Sequence, residues 1–331
     1  MRRIACVLMA IACALICLTG CQNGDDTLTK VELSEVTRSV FYAPQYVAIS
    51  KGFFADEGLE IHVTTAGGSD KAMTALLSKQ ADICLAGPET GVYVYNEGKT
   101  DYPKIVGQLT KRDGSFLVGR TEEPNFEWES LKGKTIIGGR AGGMPMMTLC
   151  YVLRQHGLEP SQDLEVIDNI QFNLMGGAFE GGTGDYVTLF EPTATEFQNA
   201  GKGYIVANVG LSSGEVPYTV YLARQETIQT NAALIEHFLK AVYRAQQWII
   251  SASDEEIAQA MQPFFPDSSL NSLKIVASSY KKTDSWKTEP AMLEEDYTRL
   301  LDVVEGSGQL SARPPFEKLI DNAIAYQVTE K

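Results

Sequence analysis

The chain has 331 residues, 44% of them hydrophobic, and 28 Lys and Arg stand against 42 Asp and Glu for a formal net charge of −14. Such acidity repels nucleic acid and excludes a basic-patch binder of it. The length exceeds what one hydrophobic core usually serves, so two domains are expected.

Met1 to Arg3 is a short basic region, Ile4 to Leu18 is an apolar run, and Leu18-Thr19-Gly20-Cys21 follows. The run is too short to span a bilayer comfortably, which predicts a cleaved secretory signal over residues 1–20. A small residue before Cys21 resembles the bacterial lipobox. Cys21 is therefore expected to be lipidated and to hold the protein on the extracytoplasmic face of a bacterial cell membrane, with residues 21–30 as a polar tether. Cleavage removes two Arg, leaving 26 basic against 42 acidic residues and a net charge of −16. It also leaves only Cys84 and Cys150 as free thiols, too few for a disulfide framework. Both lie inside apolar patterns and read as buried small hydrophobes, and a bond between them stays open.

The stretch FYAPQYVAISKGFFADEGLEIHV, Phe41 to Val63, reads as strand end, helix, glycine stop and strand. Pro44 suits a first helical turn. Tyr46, Ile49 and Phe53 recur on one helical face, Gly52 or Gly58 can take the left-handed conformation, and Leu59, Ile61 and Val63 alternate as in a half-buried strand. The result is a βαβ unit with Phe41 and Tyr42 at the carboxyl end of its first strand, where open α/β sheets bind ligands.

This stretch resembles the opening of the sulfonate and thiamine-precursor periplasmic binding proteins, the NMT1/THI5-like family, and the resemblance runs over most of residues 31–326. It implies a type II periplasmic-binding-protein-like fold: two α/β lobes joined by two crossover strands, with a C-terminal helical layer on the first lobe. It also implies a small-molecule ligand between the lobes and an ABC permease as partner.

Further along, Gly67-Gly68-Ser69-Asp70 precedes a helix over 71–79 with Ser69 or Asp70 as its N-cap. A strand over 81–86 leads to Gly87-Pro88-Glu89-Thr90, which opens another helix, and a strand from Tyr102 to Leu109 completes the first part of lobe 1, residues 31–115. Ser115 to Arg120 reads as the first crossing into lobe 2, residues 116–220. Its strand Thr135 to Ile137 runs into the glycine loop Gly138 to Met144 and a helix over 146–156. The loop lacks GKS, GKT and GxGxxG, so it is no nucleotide loop, but its helix N-terminus offers free N–H groups. Leu174 to Pro192 then repeats the plan of Ala72 to Glu89, with Asp185 matching Asp82 and Glu191 roughly matching Glu89. Gly201 to Val206 reads as the last strand of that lobe and Pro217 to Ala223 as the return crossing, and residues 221–331 return to lobe 1 and form the C-terminal helices.

No zinc spacing, nucleophile elbow or cofactor fingerprint surrounds His62, His156 or His237, so no enzyme, cofactor or metal is expected. The binding candidates are Phe41, Tyr42, Gly68, Ser69, Glu89, Thr90, Arg140, Gly142, Gly143, Phe190, Glu191 and Tyr218. Rings supply flat faces, carboxylates accept from an exocyclic amine, and loop N–H groups donate to ring atoms. That inventory favours a thiamine pyrimidine precursor or similar planar heterocycle over an alkylsulfonate or taurine, which would want more fixed cations. A non-transport surface lipoprotein and a pyrimidine-synthesis enzyme are the other readings, and a monomer is expected.

Overall fold

The computed structural model describes residues 28–330, so the signal segment, Cys21 and most of the tether lie outside the described residues. Two five-stranded sheets form the centres of two lobes. The first contains β1 (Thr29–Glu35), β2 (Leu59–Thr65), β3 (Ile83–Ala86), β4 (Lys104–Thr110) and β10 (Thr219–Ala223), in the order β2-β1-β3-β10-β4. The second contains β5 (Ser115–Gly119), β6 (Thr135–Ile137), β7 (Glu165–Ile167), β8 (Tyr186–Phe190) and β9 (Tyr204–Asn208), in the order β7-β6-β8-β5-β9. In each, three parallel strands are followed by one antiparallel strand, β10 or β5, that the chain delivers from the other lobe.

The helices, in chain order, are α1 (Ala43–Ser50), α2 (Phe53–Asp56), α3 (Ser69–Leu77), α4 (Glu89–Asn96), α5 (Met144–Gln155), α6 (Met175–Glu180), α7 (Thr193–Asn199) and α8 (Val209–Ser213). The C-terminal part adds α9 (Gln225–Thr230), α10 (Ala232–Ser251), α11 (Asp254–Met261), α12 (Leu270–Lys282), α13 (Glu294–Gly306), α14 (Phe316–Leu319) and α15 (Ala323–Thr329). In the opening unit the turn Val40–Tyr42 carries the two aromatics into α1, with Pro44 in its first turn, and Gly52 and Gly58 both take positive φ.

The internal repeat extends to atoms. The Glu32 N–H donates to Asp82 Oδ2 at 2.9 Å, and the Thr135 N–H donates to Asp185 Oδ2 at 2.9 Å, so each aspartate fastens the strand beside its own. An arginine just past each inserted strand completes the match. Arg224, after β10, donates to the Leu76 and Ala81 carbonyls at the end of α3, and Arg120, after β5, donates to those of Phe179, Thr183 and Gly184 at the end of α6. A cation on orphan carbonyls is what a helix C-terminus favours.

Three local expectations are corrected. The strands read as crossings belong to sheets, β5 to the second and β10 to the first, and the links between lobes are the segments before them, residues 111–114 and 209–218. Neither Ser69 nor Asp70 caps α3; the N-cap is Gly68, and Ser69 Oγ accepts from the Gly87 N–H at 3.3 Å, tying two loops together. The C-terminal layer is not confined to lobe 1: α10, α11, α12 and α15 pack there, but α13 also packs on α5 of the second lobe.

Candidate functional site

The carboxyl ends of both sheets meet, and the rings from the two lobes interlock there. Phe41, 1% exposed, lies 5.6 Å from Phe190 and 5.7 Å from Tyr218 between ring centroids, both edge-on, and 5.2 Å from Tyr280 of α12. Tyr42 stands 5.9 Å away, and Phe172 lies 5.2 Å from Phe190 at the margin. Gly114 is a glycine for a steric reason: a Cβ there would come within 2.6 Å of the Phe41 ring. A flat ring held face-to-face between two others needs about 7–8 Å between them, twice the carbon–carbon contact distance. The lobes are thus closed on the protein's own rings, whose centroids lie closer together than that.

Glu89 begins α4 and is 1% exposed. Burial pushes its carboxyl up to about 8, partly offset by its own N–H and by that of Met144, the first residue of α5 in the other lobe. Its Oε2 has no hydrogen-bond partner. A lobe 1 carboxyl therefore already faces the helix N-terminus that follows the glycine loop. Thr90 is used locally, its hydroxyl donating to the Gly87 carbonyl at 2.7 Å.

Glu191 has its carboxylate engaged within its own lobe. It is 3% exposed, and it accepts from the Thr195 N–H, in the first turn of α7, at 2.9 Å and from the Thr195 hydroxyl at 2.8 Å. Burial raises its pKa while these bonds lower it. Its own N–H donates to the Tyr280 hydroxyl at 3.1 Å, and that hydroxyl donates to the Gly114 carbonyl at 3.1 Å. Glu191→Ala is accordingly expected to destabilise the protein by about 0.5–2 kcal/mol, the range for losing a side-chain acceptor on a first-turn N–H, as urea unfolding will read.

Gly142 and Arg140 form a second bridge, while Gly143 is the N-cap of α5. The Tyr93 hydroxyl of α4 donates to the Gly142 carbonyl at 2.8 Å, and Arg140 Nη1 lies 3.4 Å from Asp70 Oδ1, beside Gly68. Arg140 and Asp70 are both more than half exposed, and such pairs contribute about 0–1 kcal/mol. Arg140→Ala is expected to change unfolding stability by less than about 0.5 kcal/mol.

The profile of the family described as NMT1/THI5 like matches residues 40–256. The chain belongs to the NMT1/THI5-like family. YtlA of Bacillus subtilis (strain 168), provisionally named a binding protein, is 43% identical over 317 residues, 96% of this chain and 95% of its own. The alkanesulfonate-binding protein SsuA of Xanthomonas axonopodis pv. citri, solved bound to MOPS, superposes with a TM-score of 0.72 at 12% identity, over 89% of this chain and 98% of its own. A ligand-binding component of an ABC-type import system from Staphylococcus aureus, solved with zinc bound, gives 0.71 at 13% identity, over 91% and 99%. At such identities the likeness is one of fold, that of the type II periplasmic binding proteins.

Within this NMT1/THI5-like chain several groups escape the sequence pattern. Glu35, fully buried at the end of β1, accepts from Gln45, Tyr46, Thr65 and Arg38. It is a satisfied structural carboxylate, and Arg38 is thereby taken up. Asp113, on the link into lobe 2, and Ser115, the first residue of β5, are buried beside the aromatic cluster. Burial pushes Asp113 up to about 6, and both the burial of Tyr218 and the Asp113 charge raise Tyr218 well above an ordinary phenol. Among the described residues no group of three or more His, Cys, Asp or Glu could hold a metal. The three histidines sit beside surface carboxylates, His62 near Glu32 and Glu60, His156 near Glu129, and His237 near Glu57.

Proposed function

We propose that this protein is the extracytoplasmic solute-binding component of an ABC importer, a binder and not a catalyst, that closes its two lobes on a small planar nitrogen heterocycle. A thiamine pyrimidine precursor is the leading candidate. The observation that carries the ligand class is the polar lining between the lobes: buried acceptors beside aromatic faces, with the nearby arginines already paired. Arg38 meets Glu35 and Arg140 meets Asp70, while the helix N-terminus where an anion would lodge is faced by Glu89. An alkylsulfonate would set a negative charge against this buried carboxyl and oppose its ionisation; an exocyclic amine would bring a donor that favours it.

Closure follows from hinge bending at the two links, and the ligand stabilises the closed form by touching both lobes. Anchoring through lipidated Cys21, presentation to a permease and a monomeric state complete the reading. Native mass spectrometry of protein purified without refolding, then thermal shifts with pyrimidines, thiamine, riboflavin, taurine and alkylsulfonates, tests it. A co-purified heterocycle or a shift of several degrees with one supports the class. A shift with sulfonates alone replaces the heterocycle, and no ligand and no shift favours a protein outside transport.

A further inference from the structure

The link between β4 and β5 carries buried polar atoms that the fold itself does not use. Asp113, 1% exposed, accepts the Ser115 N–H on Oδ1 at 2.6 Å, but its Oδ2 has no hydrogen-bond partner. Ser115 Oγ, in a residue 1% exposed, and the Tyr218 hydroxyl, in a residue 4% exposed, stand near enough to Asp113 to lower its carboxyl against the effect of burial, yet neither meets a partner at hydrogen-bond geometry. Buried polar groups are almost always paired, so three that face one another without closing a bond leave hydrogen-bonding capacity for an occupant.

Their position gives the occupant a place. Asp113 lies on one link, with Ser115 just after it at the start of β5, and Tyr218 ends the other; the two links touch, the Val216 N–H donating to the Lys111 carbonyl at 2.9 Å, and a Cβ on Gly210 would fall 2.0 Å from the Asp113 carbonyl oxygen. Beside them stand the rings of Phe41 and Tyr280, with Gly114 in contact with both.

The charge gives the occupant a character. Among the described residues no cation pairs with Asp113; its neighbours Lys111 and Arg112 point to Asp284 and Glu215, at 2.7 Å and 3.3 Å. The other titratable groups whose electrostatics couple to this cluster are Tyr42, Glu89, Tyr280 and, through Tyr280, Glu191, none of them cationic. The internal donors beside it, the Ser115 and Tyr218 hydroxyls, are neutral and not at hydrogen-bond geometry with Oδ2, so the acceptor suits a ligand donor, neutral or positive.

We propose that Asp113 is a specificity-determining residue that receives an N–H donor of the bound heterocycle, with Ser115 and Tyr218 completing this contact at the pivot between the lobes. The inference rests on the solute-binding reading above and deepens it. At the pivot the contact is shared by open and closed forms, so it selects the ligand before closure.

The test is calorimetric titration of the full mature chain and its Asp113→Asn variant with 4-amino-2-methylpyrimidine, 2,4-dimethylpyrimidine and ethanesulfonate, from pH 5 to 8. Asparagine keeps the Oδ1 acceptor for Ser115 and replaces Oδ2 by an amino group. The expected result is wild-type preference for the aminopyrimidine and at least a tenfold loss in the variant. The affinity difference between the two proteins should shrink as pH falls through about 6, where Asp113 is protonated; the ligand's own titration is common to both. Equal affinity and equal pH profiles overturn the role of Asp113 and leave the heterocycle reading standing. Binding of ethanesulfonate alone, or of none of the three, overturns both. Should the asparagine variant fail to fold, Ser115→Ala takes its place, with a severalfold weaker aminopyrimidine affinity expected and an unchanged one overturning the shared site.

Discussion

Phe41→Ala is expected to lower stability by about 3–5 kcal/mol, the range for deleting a buried phenylalanine, and to lower the melting temperature by roughly 5–15 °C. The ring is 1% exposed and meets Tyr42, Phe190, Tyr218 and Tyr280. Its backbone is fixed as well, the Trp286 indole N–H donating to the Phe41 carbonyl at 2.9 Å and Ser39 Oγ accepting the Phe41 N–H at 3.2 Å. Little can therefore collapse into the space, and the cavity term stays large. Because Phe190 belongs to the other lobe, the same substitution removes a contact that exists only when the lobes are closed. Small-angle scattering should report a larger radius of gyration for the variant. A melting temperature equal to the wild type, with lost ligand binding, would instead make Phe41 a face presented to solute.

The opening βαβ unit was legible because its punctuation is chemical: Pro44 in the first turn of α1, Gly52 and Gly58 at positive φ, and an alternating β2. The repeat was legible for the same reason, since Asp82 and Asp185 hold their neighbouring strands by the same bond. What could not be read is which sheet receives a strand. β5 and β10 show strand composition, but their partners are set by pairing across the chain, and only then do Arg120 and Arg224 acquire their matching roles.

Side-chain direction was equally hidden. Glu191 and Thr195 are four apart, and that spacing signals a local bond as well as a ligand contact; the structure uses it for the bond. In Lys111-Arg112-Asp113-Gly114, Asp113 is turned inward while its two cationic neighbours pair with Glu215 and Asp284. A run of charges gives its exposure only when what packs on it is known.

Glu89→Gln is expected to make the protein more stable and a poorer binder. Burial holds the Glu89 carboxyl up to about 8 in the folded chain, whereas an unfolded glutamate ionises near about 4.3. Between those values the folded state keeps a proton that the unfolded state has released, so stability falls as pH rises, and the loss is complete above about pH 8. Glutamine cannot ionise and escapes that slope. Wild type and variant should unfold alike near pH 4.5 and diverge to a difference on the order of 2–4 kcal/mol at pH 8. Binding moves the other way. The unpartnered Oε2 is an acceptor whose charge an amine donor would restore, and hydrogen bonds to charged groups contribute about 1.5–3 kcal/mol, so the variant should bind an aminopyrimidine about ten- to a hundredfold more weakly. Urea unfolding across pH and calorimetry at pH 8 read the two effects separately. Opposite signs would mark Glu89 as a group held at a stability cost for its ligand. A variant that gains stability and binds as before would make its burial incidental, and one that gains none would place the carboxyl in contact with water.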